Sequence, residues 1–511
     1  MEPQKFTQPS ESPLGRRAFL GQTARMAIAG LAVRAQAAVR PNILVIVTDD
    51  QGYGDVSAYS HSAADISTPN MDRIGKKGVM FTRGYVTAPV CSPSRAGWNT
   101  GRYQQRWDPE AGWTPGLPKD VRTIAEYLKS AGYATGKVGK NDFGRGYHRQ
   151  DGREFPLNHG FDEFLGFSSH AHDSFLLSEK IDRMTPDPHG HSAALGPLFE
   201  NRGRRSFEGG YLTDIFTDRA IQFLERHRSG PFFLNVAYNA IHTLVHEVPE
   251  RYLRKFGVKP IPKYDPTTMG KYAGYYDKYA QLGVIPDEDM RKYYLASLAC
   301  LDDNIGRLLN ALGRLHLAGN TLIVFFSDNG GTQHGGGNNR PLRGTKSTTF
   351  EGGIRVPFMM RWDKQLPTGK TFQDPVSTLD VLPTCLEAAG IPVESFQLDG
   401  RSLLPALRAG ARSSAGLRTL FWLFRDRWAV LEGEWKLVRT PNPAGPPAHQ
   451  VLYDGDPADR KPALFNLNRD PAEQHDVSEE NPEIARRLTR LFENWRREMR
   501  AEAASRHPLG L

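Results

Sequence analysis

Three short apolar runs constrain this 511-residue chain more than any other feature. Asn42–Thr48 (NILVIVT), Pro231–Ala237 (PFFLNVA) and Thr321–Ser327 (TLIVFFS) show almost no polar alternation, so each must be covered on both faces. Strands of that kind belong to parallel sheets sandwiched between helices. Each run then breaks into polar sequence: Asp49-Asp50-Gln51-Gly52, Tyr238-Asn239-Ala240-Ile241-His242-Thr243 and Asp328-Asn329-Gly330-Gly331. In open α/β sheets ligands gather at the carboxyl ends of the strands, so these ends are read as parts of one site. Helical patterns over 123–131, 211–227 and 287–317 supply the cover. The expected fold is α/β, with a large mixed, mostly parallel sheet flanked by helices.

A chain of this length exceeds one ordinary core. From about residue 410 the pattern changes to short alternating strands, 428–431 and 435–439, followed by a charged helix from Pro482 to about Arg500. This predicts a small C-terminal α+β subdomain with an antiparallel sheet and a terminal helix. Residues 145–210 and 257–285 read as long polar loops. The expected division is a leader at 1–37, a catalytic domain at 38–409 and the C-terminal subdomain at 410–511.

The leader reading rests on Gly15-Arg16-Arg17-Ala18-Phe19-Leu20, an apolar run from Met26 to Val33, and Ala35-Gln36-Ala37. Paired arginines, an apolar segment and small residues fit a bacterial twin-arginine export signal, which places the mature protein in the periplasm or outside the cell. No apolar stretch reaches the roughly 18 residues of a membrane span. The formal net charge is +8, and the leader contributes part of it. The modestly basic body suits an anionic substrate without arguing for nucleic acid, and the basic terminal helix is read as a solvated face. Cys91, Cys300 and Cys385 are too few and too scattered for a disulfide framework or a structural zinc site.

Adjacent carboxylates such as Asp49 and Asp50 repel one another unless something neutralises them, and a hard divalent cation with oxygen ligands is the natural partner. Asp328-Asn329 repeats the arrangement from a second strand. Cys91, flanked by Ser92 and Pro93 and followed by Arg95, suits a turn into a helix start. On composition alone a small buried thiol is the commoner reading.

The segment Cys91-Ser92-Pro93-Ser94-Arg95, continued by Thr100-Gly101-Arg102, resembles the signature of the type I, formylglycine-dependent sulfatases of the alkaline-phosphatase superfamily, with its arylsulfatase and N-acetylgalactosamine-6-sulfatase-like members. Further matches run from Arg340 to Phe358, at Asp302, Asp303 and Gly306, and from Asp399 to Pro405. The resemblance implies that a separate formylglycine-generating enzyme oxidises Cys91 to an aldehyde whose hydrate is the nucleophile. It implies Asp49, Asp50, Asp328 and Asn329 as ligands of one divalent cation, usually Ca2+. It also implies Arg95, Lys140 and Lys346 as sulfate-binding groups and His242 as an assistant to the leaving alcohol.

One position departs from the pattern. The family reads Gly-Lys-Trp-His-Leu-Gly where this chain has Gly139-Lys140-Asn141-Asp142-Phe143-Gly144. A carboxylate can accept a proton in the histidine's place, so Asp142 is expected to act as base or orienting group, unless another histidine fills the space. His170 and His172, in Ser168–Asp173, are candidates for substrate contacts. The expected activity is hydrolysis of sulfate esters, with a sulfated carbohydrate as substrate. The alternatives are a phosphonate or phosphate monoester hydrolase with the same nucleophile, or a catalytically impaired glycan-binding relative.

Overall fold

The computed structural model describes residues 40–113, 115–144, 149–180, 183–186, 192–280, 284–332, 335–409, 418–440 and 461–506. The expected leader, the expected boundary near residue 410 and His148, His189 and His191 lie outside them.

Strand β1 (Asn42–Thr48) is buried along its whole length and divides its side chains between two cores. Leu44 and Ile46 pack with residues of helices α3 (Leu212–Arg226) and α4 (Asp287–Arg314). Ile43, Val45 and Val47 join Trp98 of α1 (Cys91–Thr100) and Ile124 and Leu128 of α2 (Ile124–Ser130). This two-sided cover is what the unbroken apolar pattern requires.

With β2 (Ala134–Lys140), β3 (Glu163–Phe167), β4 (Phe232–Ala237) and β5 (Thr321–Ser327), β1 forms a parallel centre in the spatial order β3-β2-β4-β1-β5. Shorter strands extend it to ten: Leu198–Glu200 and Gly203–Arg205 beyond β3, and Phe358–Arg361, Val79–Phe81 and Lys370–Phe372 beyond β5. They join antiparallel at both junctions, so the sheet is mixed.

Registry sets the site. Thr48 pairs with Ser327 and Val47 with Ala237, so the three strands end level. The ladder continues one step past each end: the Asp328 N–H donates to Thr48 O at 3.0 Å, and the Asp49 N–H to Ala240 O at 3.0 Å.

Strand β2 was not legible as a strand, because its sequence, ATGKVGK, carries two glycines and two lysines. Close packing explains the glycines. A Cβ on Gly139, at φ +103°, would lie 1.9 Å from Ala237 O, and one on the facing Gly166 would lie 2.0 Å from Gly139 O. The region read as loop from 145 to 210 also holds β3 and several short strands. Residues 257–285 likewise contain a helix at Tyr272–Ala280.

The C-terminal sheet is antiparallel, in the order β6 (Thr419–Phe424), β7 (Arg427–Glu432), β8 (Trp435–Arg439) and β9 (Ala463–Asn466). Its alternation is clean. Ala429 and Leu431 face Tyr85, Phe350, Ile354 and Val356, while Val430 and Trp428 face Leu488, Phe492, Trp495 and Met499 of the terminal helix α5 (Pro482–Arg506). The Trp428 and Phe492 rings stack at 4.3 Å, and those of Phe421 and Trp495 at 5.1 Å. Trp495→Ala is expected to cost about 3–5 kcal/mol through cavity formation, seen as a lower denaturant midpoint with an unchanged slope. Charges on α5 are partly used within the fold: Glu502 accepts from Arg102 and Arg106, each at 2.7 Å. No helix among the described residues is long and apolar enough to cross a membrane.

Candidate active site

The ends of β1 and β5 bring four oxygen-bearing side chains together. The Asp50 N–H donates to Asp328 Oδ1 at 3.3 Å, and Asn329 Nδ2 donates to Asp50 Oδ1 at 2.7 Å. Asp49, Asp50, Asp328 and Asn329 are all at most 2% exposed. Burying three carboxylates is costly unless they are compensated, and three cations surround them. Arg95 reaches Asp328 Oδ2 through Nε at 2.9 Å and Nη2 at 2.7 Å, and Lys140 Nζ lies 2.7 Å from Asp49 Oδ2. Lys346 Nζ lies 2.6 and 2.9 Å from the two oxygens of Asp50.

Compensation is incomplete. Burial, with Asp49 beside it, pushes the Asp328 carboxyl up to about 7 against the pull of Arg95 and Lys140. Asp49 Oδ1 and Asn329 Oδ1 are buried without a hydrogen-bond partner. Two orphaned acceptors in a set of carboxylate and amide oxygens fit a hard cation such as Ca2+ or Mg2+, with no soft donor in the set.

Cys91 opens α1, after Val90 in extended conformation. Its side chain is 2% exposed, and burial, then the Asp142 carboxylate, pushes the thiol up to about 12. The sulfur therefore carries no useful thiolate at neutral pH. Burial opposes the charge of Lys140, yet Asp49 and Asp142 hold that ammonium well above its usual range. It is a fixed cation beside residue 91.

Asp142 follows β2 and is fully buried, with Lys140 Nζ 3.4 Å from its Oδ2. Despite burial, His170 and Lys140 hold its carboxyl well below the usual range. His170 Nδ1 lies 3.0 and 3.1 Å from the Asp142 oxygens, and the Ser92 hydroxyl donates to Asp142 Oδ1. His172 is placed differently: its ring packs on Phe167 at 5.2 Å, and its Nδ1 meets Asp173 O at 2.7 Å. His242 Nε2 sits 3.7 Å from Asp50 Oδ2, with burial and then Lys346 and Lys140 lowering it well below its usual range.

Three non-glycine residues here adopt left-handed backbone: Asp50 at φ +59°, Asp142 at +46° and Ser347 at +73°. Such strain concentrates where a side chain must be aimed. Asp302, on α4, accepts from the backbone N–H groups of Asn70 and Met71 and serves as scaffold.

Sequence reasoning missed two features. Ser92 lies inside the cysteine motif, and nothing in its spacing marks it as a partner of Asp142. The buried ion cluster of Glu351, Glu473 and Lys436 joins segments about 120 residues apart, a distance that local pattern cannot bridge.

Known proteins resemble the chain over most of its length. The sulfatase family model matches residues 41–391. The chain is 30% identical over 486 residues to N-acetylgalactosamine-6-sulfatase of Homo sapiens, covering 88% of this chain and 84% of that protein. It is 31% identical over 491 residues to arylsulfatase A of Bos taurus, covering 89% and 87%. Among solved structures, Ps i-CgsB in complex with k-i-k-neocarrahexaose is similar with a TM-score of 0.71 at 31% identity, over 90% of this chain and 93% of that one. The chain therefore belongs to the sulfatase family, enzymes that hydrolyse sulfate esters.

Proposed function

We propose that this enzyme removes sulfate from a sulfated carbohydrate, using an aldehyde derived from Cys91 and one divalent cation, calcium. One observation carries the reading: a buried cysteine at a helix start lies within electrostatic reach of Arg95, Lys140 and Lys346, the three cations that pair with a carboxylate set holding two orphaned oxygen acceptors, Asp49 Oδ1 and Asn329 Oδ1. The carbohydrate class is supported by the leader's resemblance to an export signal and by a similar protein solved with k-i-k-neocarrahexaose. In this reading residues 38–409 are the catalytic domain and 410–511 its C-terminal subdomain. A formylglycine-generating enzyme acts on Cys91 before twin-arginine export to the periplasm or beyond.

Asp49, Asp50, Asp328 and Asn329 would hold the cation, which when bound would acidify a neighbouring hydroxyl and polarise a sulfuryl oxygen. The modified Cys91 supplies, as its hydrate, two hydroxyls on one carbon, one to attack sulfur and one to lose a proton. Arg95 and Lys140 hold positive charge close to residue 91 and meet the charge that builds on the sulfuryl oxygens. Lys346, itself held charged by Asp50 against burial, binds the sulfate and, with His242, attends the departing alcohol. Asp142 takes the second hydroxyl's proton or orients the group that does.

Peptide mass spectrometry over Cys91, with sulfate release measured on a panel of sulfated glycans and an aryl phosphonate in parallel, tests the reading. Aldehyde-bearing protein that cleaves the phosphonate and no sulfate ester would overturn it. Chelation is expected to reduce turnover on the order of 10²-fold or more, the loss of several kcal/mol of charge stabilisation, and calcium to restore it. Calcium at about 100 times its Kd should also raise stability by about 2.7 kcal/mol, visible as a higher Tm. A calcium-independent Tm and rate would remove the cation from the mechanism.

A further inference from the structure

His170, a candidate for substrate contact by sequence, turns its ring to a buried carboxylate. Its Nδ1 faces both oxygens of Asp142 at 3.0 and 3.1 Å and lies 3.2 Å from Ser92 Oγ. Ligand atoms of His170, Asp142 and Cys91 all lie within 4.8 Å of one another. The imidazole is 6% exposed, and Trp113 stands edge-on to it at 6.4 Å. An imidazole oriented by a buried carboxylate beside a nucleophile is the arrangement of a general base with its positioning partner.

We propose that His170 is the proton acceptor of the second half-reaction and that Asp142 is the residue that positions it. The inference rests on the sulfatase chemistry proposed above and goes further by assigning the base. Asp142 alone is a poor acceptor: despite burial its carboxyl is held well below the usual range, by the charge His170 carries once protonated and by Lys140. Its strained backbone, φ +46°, and its contact with Ser92 aim the carboxylate at the ring.

The hydroxyl on the carbon bearing the sulfate gives its proton to His170 Nε2, the ring nitrogen opposite the Nδ1–H that faces Asp142. The O–H electron pair becomes the C=O bond. The bond from that carbon to the sulfate oxygen breaks, its electrons leaving on sulfate, and the imidazolium, stabilised by Asp142, later returns its proton to water. Among the described residues, the charged and titratable groups near the ring include Asp142 and Lys140 from the end of β2, residue 91 from α1, and His242 through space.

His170→Gln and Asp142→Asn in aldehyde-bearing enzyme test the assignment. Each is expected to slow sulfate release by about 10²–10⁴-fold, the span of general-base catalysis. A sulfuryl group should be retained on residue 91 by intact mass, with KM little changed. The double variant should be no slower than the worse single, as for residues acting as a unit. A His170→Gln enzyme that binds substrate more weakly at unchanged kcat, retaining no sulfuryl group, would return His170 to substrate contact and overturn the proposal. A variant-free readout guards against misfolding. In the unmodified Cys91 protein, ¹⁵N spectra of the histidine rings should show the His170 Nδ1 proton held by a strong acceptor. Free tautomer exchange there would overturn the pair. If the pair is present but aldehyde-bearing parent enzyme releases no sulfate, the sulfatase reading of the site fails instead.

Discussion

Cys91→Ser is expected to abolish steady-state sulfate release, by about three orders of magnitude or more, equivalent to roughly 4 kcal/mol in the barrier. The substitution is nearly isosteric at a position that is 2% exposed, so the fold should survive. What changes is the count of oxygens on one carbon. A serine hydroxyl at the start of α1, facing the same cations, can still attack sulfur, but it has no second hydroxyl whose proton could drive the sulfate out. The Cys91→Ser protein should therefore release about one equivalent of alcohol per enzyme, with no matching sulfate, and carry the sulfuryl group on the peptide spanning position 91 by mass. Cys91→Ala should give neither the burst nor the adduct. The unmodified thiol, pushed up to about 12, should be inert in the same assay. Turnover of sulfate by the Cys91→Ser protein at the parent rate would show that the aldehyde chemistry is not used.

The same residue shows how far sequence carries a site. Cys91, Arg95, the paired aspartates and Lys346 lie in short contiguous motifs, so a match to a family pattern is enough to find them. The three apolar strands were legible for another reason: burial on both faces leaves an unmistakable signature. Strand β2 was not. Its glycines are dictated by close approach to β4 and β3, a long-range cause. Its lysines interrupt the apolar pattern, yet Lys137 is buried against Asn235 Oδ1 at 2.7 Å and Lys140 against Asp49. The Asp142–His170 contact spans 28 positions and two connections. Sequence raised the question of what replaces the histidine, and only the fold brings a candidate to it.

Lys436→Met is expected to destabilise the protein by about 3–5 kcal/mol, the usual result of leaving a buried charge without its partner. Lys436 Nζ lies 2.9 Å from Glu351 Oε1 and 2.8 Å from Glu473 Oε1, with all three side chains fully buried. Burial pushes the Glu473 carboxyl up to about 7 in spite of Lys436. Folding therefore takes up a proton there between pH 4.5 and about 7, and this group's stabilising contribution is present below that window and lost as pH rises through it. Glu351 behaves oppositely: although burial opposes it, Lys436 and Arg355 hold its carboxyl low, so its contribution is lost as pH falls. Removing Lys436 raises both carboxyls. The deficit should be small at pH 5, where protonation relieves both acids, and largest near pH 8, where both must be charged or take up protons at a cost. Denaturant titrations of parent and variant at the two pH values decide the matter, since an equal deficit at both would assign the loss to packing. The cluster also reaches the chemistry. The Glu351 N–H donates to Glu473 Oε2 at 2.6 Å, and the Gly352 N–H donates to Arg343 O at 2.7 Å, bracing the loop that presents Lys346. A sub-ångström loosening of Lys346 is enough to lower kcat about tenfold, so folded Lys436→Met protein should be both less stable and slower. The C-terminal sheet would then act on catalysis through a side chain that never meets substrate.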